Sequence, residues 1–203
     1  MKKVKPKQNR PGGYRNRFRI IAGAWRGRRF EFPDLPGIRP SPDRVRETLF
    51  NWLQPVLAGA RCLDLFAGSG ALGLEALSRG AAEVVFVDRE APALDAIRRH
   101  LAAAGAAEKA IVIQADALAF LSASARPFDV VFLDPPFASD LLARAMPALE
   151  AGGWLAEGGY VYLECPARAG TPAVPLGWRL IRSKRAGNVG YHLAVRDTRP
   201  RRG

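Results

Sequence analysis

An α/β fold built on a doubly wound, mostly parallel sheet is what this sequence of 203 residues predicts. Three observations point there. From Arg61 onward, short apolar runs alternate with amphipathic helical stretches. A G-x-G-x-x-G run, Gly68, Gly70 and Gly73, separates the first run from its helix. The second, third and fourth runs finish on Asp88, Asp116 and Asp134, and Asp64 stands just before the loop after the first.

The elements follow in order. Residues 1–16 are rich in Lys, Arg, Pro and Gly and read as a flexible basic arm. "FRIIAGAWRGRRFEFP" predicts two short strands around a glycine-containing turn. "SPDRVRETLFNWLQP" predicts a helix, with Ser41 as N-cap and Pro42 at the first helical position. Its Val45, Leu49, Trp52 and Leu53 share one face. "RCLDLF" is a strand and "GALGLEALSRG" a helix ended by Gly80. "EVVFVD" is a strand, followed by a helix from Ala91 to Ala104 that stops at Gly105. "AIVIQAD" is a third strand, with a short helix after it through Leu121. "FDVVFLD" is a fourth. Ser139 is placed to cap the next helix, which Pro147 should shorten or bend. "GYVYLEC" is a fifth strand, and "WRLIRSKRAGNVGYHLAV" an antiparallel hairpin turning near Gly187 and Asn188. The chain divides into an arm at 1–16, a hairpin-and-helix extension at 17–55 and an α/β domain at 56–203.

Composition narrows the function classes. No apolar run is long enough for a transmembrane helix, and the basic N-terminus lacks the apolar core of a signal peptide, so a cytoplasmic protein without membrane contact is expected. Cys62 and Cys165 sit in apolar segments as core thiols, too few for a disulfide framework or a zinc cluster, and no metal is expected. The net charge of +12 is unevenly placed. Residues 1–30 carry eleven Lys or Arg and no acid; residues 179–203 carry eight and one acid, Asp197. The ends thus hold +18 and the body −6. One-sign blocks interleaved with Tyr14, Phe18 and Trp25 fit nucleic-acid binding rather than a merely solubilising tail. The candidate contacts are Arg15, Arg17, Arg19, Arg26, Arg28, Arg29, Arg39 and Arg44.

In a doubly wound sheet, ligands bind at the carboxyl ends of the strands. There Asp64, Asp88, Asp116 and Asp134 would face one crevice. The glycine loop suits either a dinucleotide or S-adenosylmethionine. A carboxylate beside the loop repels a pyrophosphate but suits a sulfonium and an ammonium, which favours S-adenosylmethionine over NAD. The cofactor residues are then Asp64, Phe66, Gly68, Ser69, Gly70, Asp88, Arg89, Asp116 and Ala117, with Asp88 on the ribose and Asp116 on the adenine amino group.

The fourth strand ends "DPPF". An exocyclic amino group on a nucleobase is a poor nucleophile, because its lone pair is delocalised into the ring. An acceptor on each N–H lets the nitrogen pyramidalise. Asp134 supplies one acceptor and the carbonyl of Pro135 another, since proline keeps its C=O. Pro135 and Pro136 stiffen the loop, so the acceptors are preplaced. Phe137 can stack on a base flipped out of its helix. These four residues form a candidate catalytic set for amino methylation.

At these motifs the sequence resembles the RsmD family of 16S rRNA guanine-N2 methyltransferases. "RIIAGAWRGRRFEFPDLPGIRPSPDRVRETLFNWL", "LDLFAGSGALGLEALSRGA" and "FLDPPF" carry the resemblance, which spans roughly residues 17 to 196. It implies a Rossmann-like class I S-adenosylmethionine-dependent methyltransferase acting as a monomer on the small ribosomal subunit, at guanine 966 of its 16S rRNA. The arm at 1–16 is an addition to the family pattern. The glycine loop and D-P-P-F are shared with adenine-N6 methyltransferases of DNA or RNA, which stay open as an alternative, as does a non-catalytic RNA-binding assembly factor. Arg44 and Glu47 either bridge the cofactor and RNA sites or form a surface i, i+3 pair.

Overall fold

The computed structural model describes residues 16–36, 38 and 40–198. β1 (Asn16–Arg19) and β2 (Arg29–Phe32) pair antiparallel as a two-stranded sheet, and α1 (Asp43–Leu57) follows. The α/β unit then runs β3 (Arg61–Asp64), α2 (Ala71–Ser78), β4 (Glu83–Asp88), α3 (Ala91–Ala104), β5 (Ala110–Gln114), α4 (Ala117–Leu121), β6 (Phe128–Leu133), α5 (Leu141–Ala151) and β7 (Leu155–Pro166). A hairpin of β8 (Trp178–Ala186) and β9 (Val189–Arg196) closes it.

These seven strands form one sheet in the order β5-β4-β3-β6-β7-β9-β8. β5, β4, β3, β6 and β7 are parallel; β9 runs antiparallel to β7 and β8 to β9. The chain moves outward from β3 through β4 to β5, then returns to the other side of β3 with β6. The switch point therefore lies between β3 and β6, where Asp64 and Asp134 sit.

Alternate residues of each strand enter opposite cores. Cys62, Val84, Phe86, Val130, Phe132 and Tyr162 pack on one face with α1, α2, α3 and the β1–β2 hairpin. Leu63, Val85, Val87, Val131, Leu133 and Val161 pack on the other with α4 and α5. Both faces are covered, which is why these strands read as continuous apolar runs. Each fully buried Phe or Leu contributes about 1.5–3 kcal/mol. Both cysteines are buried and free. Among the described residues no helix is long and apolar enough to cross a membrane.

The hairpin docks through charge that the sequence reading missed. Arg46 of α1 is fully buried. It donates to the carbonyls of Ser41 and Arg19, at 3.2 and 2.9 Å, and to Asp43 at 2.6 Å. Its Nη1 stands 3.6 Å from Glu75 Oε2 on α2. The buried Glu75 in turn accepts from the backbone of Ile21 and Ala22, at 2.8 and 3.0 Å, and from Arg79 at 2.7 Å. One carboxylate thus ties the hairpin, α1 and α2 together.

Several element boundaries differ from expectation. Ser41 is not the N-cap of α1: Pro42 holds that position without a side-chain bond, and the serine turns to two carboxylates instead. β3 ends on Asp64 rather than Phe66, because the chain must turn there into the glycine loop. β5 ends on Gln114, and Asp116 instead caps α4, accepting from Leu118 and Ala119 at 2.9 and 3.0 Å. Likewise β6 ends on Leu133, with Asp134 just beyond it. Ser139 does not cap α5; Asp140 takes that place, and the Ser139 hydroxyl donates to the Pro136 carbonyl at 2.6 Å. α5 continues past Pro147 to Ala151. β7 starts earlier than expected, at Leu155, and takes a register shift opposite Phe128 and Val130.

Candidate active site

The glycine loop has a distinct physical job at each glycine. Gly68 and Gly70 adopt positive φ, 49° and 77°, which let the chain turn sharply from β3 into α2. At Gly73 a Cβ would lie 2.2 Å from the Phe86 ring, so only glycine lets α2 settle on β4. The Gly73 N–H donates to Asp64 Oδ2 at 3.0 Å, and Gly68 N–H to Asp88 Oδ2 at 2.7 Å. Asp88 Oδ1 accepts from Glu90 N–H at 2.9 Å. Two of the predicted site aspartates therefore brace the loop itself.

A cavity of about 590 Å³ opens at the carboxyl edge of the parallel strands. It brings together Asp64, Phe66, Gly68, Ser69, Asp88, Arg89, Asp116, Ala117, Asp134, Pro135, Pro136 and Phe137. Gly70 lies behind the wall, packed toward Ile97 and Leu74. Pro36, Ile38, Pro40, Ser41 and Pro42 also line it. Among the described residues the lining holds Asp64, Asp88, Glu90, Asp116, Asp134 and Glu164 against one cation, Arg89. Such a site repels phosphate and favours a cation.

Glu164 and Ser41 are the site residues the sequence reading missed. Glu164 is buried on β7, one step after the Leu163–Leu133 pair that aligns β7 with β6, so it lies beside Asp134. Ser41 Oγ sits 2.8 Å from Glu164 Oε2 and 3.2 Å from Asp134 Oδ2. Tyr162 donates to Glu164 Oε2 at 2.7 Å. The signal for Glu164 was present: "GYVYLEC" carries an acid near the end of an otherwise apolar run, as "FDVVFLD" does.

Burial raises the Asp134 carboxyl well above the usual range, and the Glu164 charge adds to it. Burial also raises Glu164, against the lowering effect of Tyr162 and Ser41. Asp64 is pushed up to about 7 by burial, partly offset by the Gly73 N–H. Phe137, by contrast, is 39% exposed, an aromatic face held at the rim by two prolines.

The predicted RNA contacts lie outside the cavity. Arg17, Arg19, Arg26, Arg28 and Arg29 are exposed on the hairpin. Arg17 pairs with Glu31 at 2.7 Å, Arg19 with Asp43 at 3.4 Å, and Arg28 donates to the Ala103 carbonyl at 3.0 Å. Arg44 and Glu47 are exposed on α1, form no ion pair with each other and do not line the cavity. Arg15 and Arg39, like most of the arm at 1–16, lie outside the described residues.

Comparison with known proteins identifies the family. A family model described as "Conserved hypothetical protein 95" matches residues 18–195. The ribosomal RNA small subunit methyltransferase D of Escherichia coli K12 is 48% identical over 179 residues, covering 88% of this chain and 90% of the relative. The protein of the same description from Haemophilus influenzae is 42% identical, covering 86% and 92%. Among solved structures, yhhF of Escherichia coli superposes with a TM-score of 0.85 at 45% identity, covering 91% of this chain and all of that one. The fold, the site and these matches together place the chain in the ribosomal RNA small subunit methyltransferase D family.

Proposed function

We propose that this protein moves a methyl group from S-adenosylmethionine to the exocyclic N2 amino group of a guanine in the 16S rRNA of the small ribosomal subunit. The observation that carries the reading is the acidic cavity at the switch point, with D-P-P-F at one end and the glycine loop at the other. The donor set fits the cofactor: carboxylates predominate, and the loop glycines let backbone come close. Asp88 would hold the ribose hydroxyls, Asp116 and Ala117 the adenine, and Asp64 the cationic end. When bound, S-adenosylmethionine supplies an electrophilic methyl group on a sulfonium.

The chain's own residues do the rest. Phe137 offers a face on which the flipped base stacks. Asp134 and the Pro135 carbonyl accept from the amino group and hold its nitrogen lone pair toward the methyl carbon. As the nitrogen gains its methyl it must lose a proton. Asp134 can take it, because burial has already raised its affinity for one. The exposed arginines of the hairpin and the basic ends hold the rRNA by its phosphates.

The test is methyl transfer from labelled cofactor to small subunits, naked 16S rRNA and duplex DNA, followed by nucleoside mass spectrometry. N2-methylguanosine at one position of the 16S rRNA is expected. N6-methyladenosine, or labelled DNA, would replace this reading by the adenine alternative.

A further inference from the structure

Glu164 is left without a task by the steps above, yet it is held more tightly than a spare acid needs to be. Tyr162 and Ser41 both donate to Oε2. Among the described residues nothing donates to Glu164 Oε1 or to Asp134 Oδ1. Arg46 Nη1 is the one side-chain polar atom among them that is sealed without a hydrogen bond, so Oε1 and Oδ1, which have none, are open to the cavity their residues line. Two fixed acceptors therefore stand side by side at the end where D-P-P-F places the base.

We propose that Glu164 determines the base: its free oxygen accepts the ring N1–H of guanine while Asp134 accepts an N2–H of the same edge. This rests on the methyl-transfer reading and adds a residue for its selectivity. Guanine presents N1–H and N2–H as neighbouring donors. Adenine sets a lone pair at N1 beside its amino group, and that lone pair would face a carboxylate. The amino-methylation motif alone does not separate the two bases, since an amino group is all it needs; a second fixed acceptor separates them. Sites built to hydrogen-bond a donor reject analogues that lack it far more strongly than apolar pockets reject a missing methylene.

The discriminating substrate is 2-aminopurine, which keeps the 2-amino group and loses N1–H. Small subunits are reconstituted with 16S rRNA carrying guanine or 2-aminopurine at the methylated position. Single-turnover methyl transfer is then compared for the wild-type protein and Glu164→Gln, with S-adenosylmethionine affinity measured alongside. The wild type should favour guanine by about tenfold or more. In Glu164→Gln, Tyr162 and Ser41 call for the amide oxygen, which turns the NH₂ toward the base. That group clashes with N1–H and welcomes a lone pair. The preference should fall to within about threefold or invert, with cofactor affinity unchanged. A wild-type protein that treats both bases alike overturns the proposal. So does a Glu164→Gln protein that slows on both by one common factor, which would make Glu164 a positioning residue for Asp134. If Glu164→Gln loses the cofactor, Glu164→Asp, with its acceptor drawn back by one methylene, carries the same comparison. No transfer to guanine by the wild type would instead refute the methyl-transfer reading itself.

Discussion

Asp64 ends β3 and Asp134 follows the last residue of the neighbouring β6, at the switch point, and their environments differ. In the proposed reaction Asp134 acts mainly when the nitrogen is losing its proton, so Asp134→Ala should lower single-turnover methyl transfer by about 10²–10³. Calorimetry should show cofactor affinity nearly intact; a rate within about threefold of wild type would remove Asp134 from the chemistry. Asp64 is buried where it lines the cavity beside the glycine loop, and its carboxyl is pushed up to about 7, whereas an unfolded Asp titrates near 3.9. Between those values the folded chain keeps a proton that the unfolded chain has released. Stability must then fall as pH rises through that window. Asp64→Asn can still accept from Gly73 N–H but does not titrate. Its unfolding free energy in urea should drop less between pH 5 and pH 7.5 than that of the wild type, by on the order of 2 kcal/mol. Equal drops would mean that Asp64 is not the group responsible.

At the scale of elements, the hairpin is held by one buried network, and that makes it separable. Arg46→Met removes the cation beside Glu75 and leaves the buried carboxylate with Arg79 and the Ile21 and Ala22 N–H groups. Breaking a buried pair in this way costs about 3–5 kcal/mol. The loss should be seen as a lower denaturation midpoint and as protease cleavage within residues 20–28, where the hairpin loop rests on α2. Cleavage only after global unfolding would show that the network does not hold the hairpin separately. The same loop explains Gly23: a Cβ there would stand 1.9 Å from the Ser78 carbonyl, and its φ is 82°. Trp25 N–H also donates to Ser78 Oγ at 3.0 Å, so the loop reads the C-terminal end of α2 closely.

Across the whole molecule, charge and chemistry are segregated. The cavity is acidic, while the chain ends are basic. A nucleic acid can be held by the ends while a cationic cofactor is held in the middle, and neither field need compromise the other. Deleting residues 1–16 removes Lys2, Lys3, Lys5, Lys7, Arg10 and Arg15. If half of these touch phosphate, the slope of log K against log salt for small subunits should become shallower by about 2–3. Cofactor affinity should not change. Identical slopes would assign RNA recognition to the hairpin arginines and the basic C-terminal strands.

Local pattern determined much of this protein. The β/α alternation, the turn at the loop glycines, the acids at or just past the strand ends and the terminal hairpin all follow from periodicity and residue type over a few positions, because each acts within its own segment. The resemblance to a methyltransferase family rested on the same short stretches. Only the tertiary structure decided what non-neighbours do to one another. Ser41 had the pattern of a helix cap, but the approach of β6 and β7 offered its hydroxyl two carboxylates. Arg46 had the pattern of a surface residue beside Asp43, until α2 brought Glu75 against it. Glu164 is an acid near the end of an apolar strand, but its partner, Asp134, is set by the pairing of β6 with β7. A hydrogen bond between residues 123 positions apart leaves no period in a sequence, and here such bonds build the part of the cavity that holds Asp134 and Glu164.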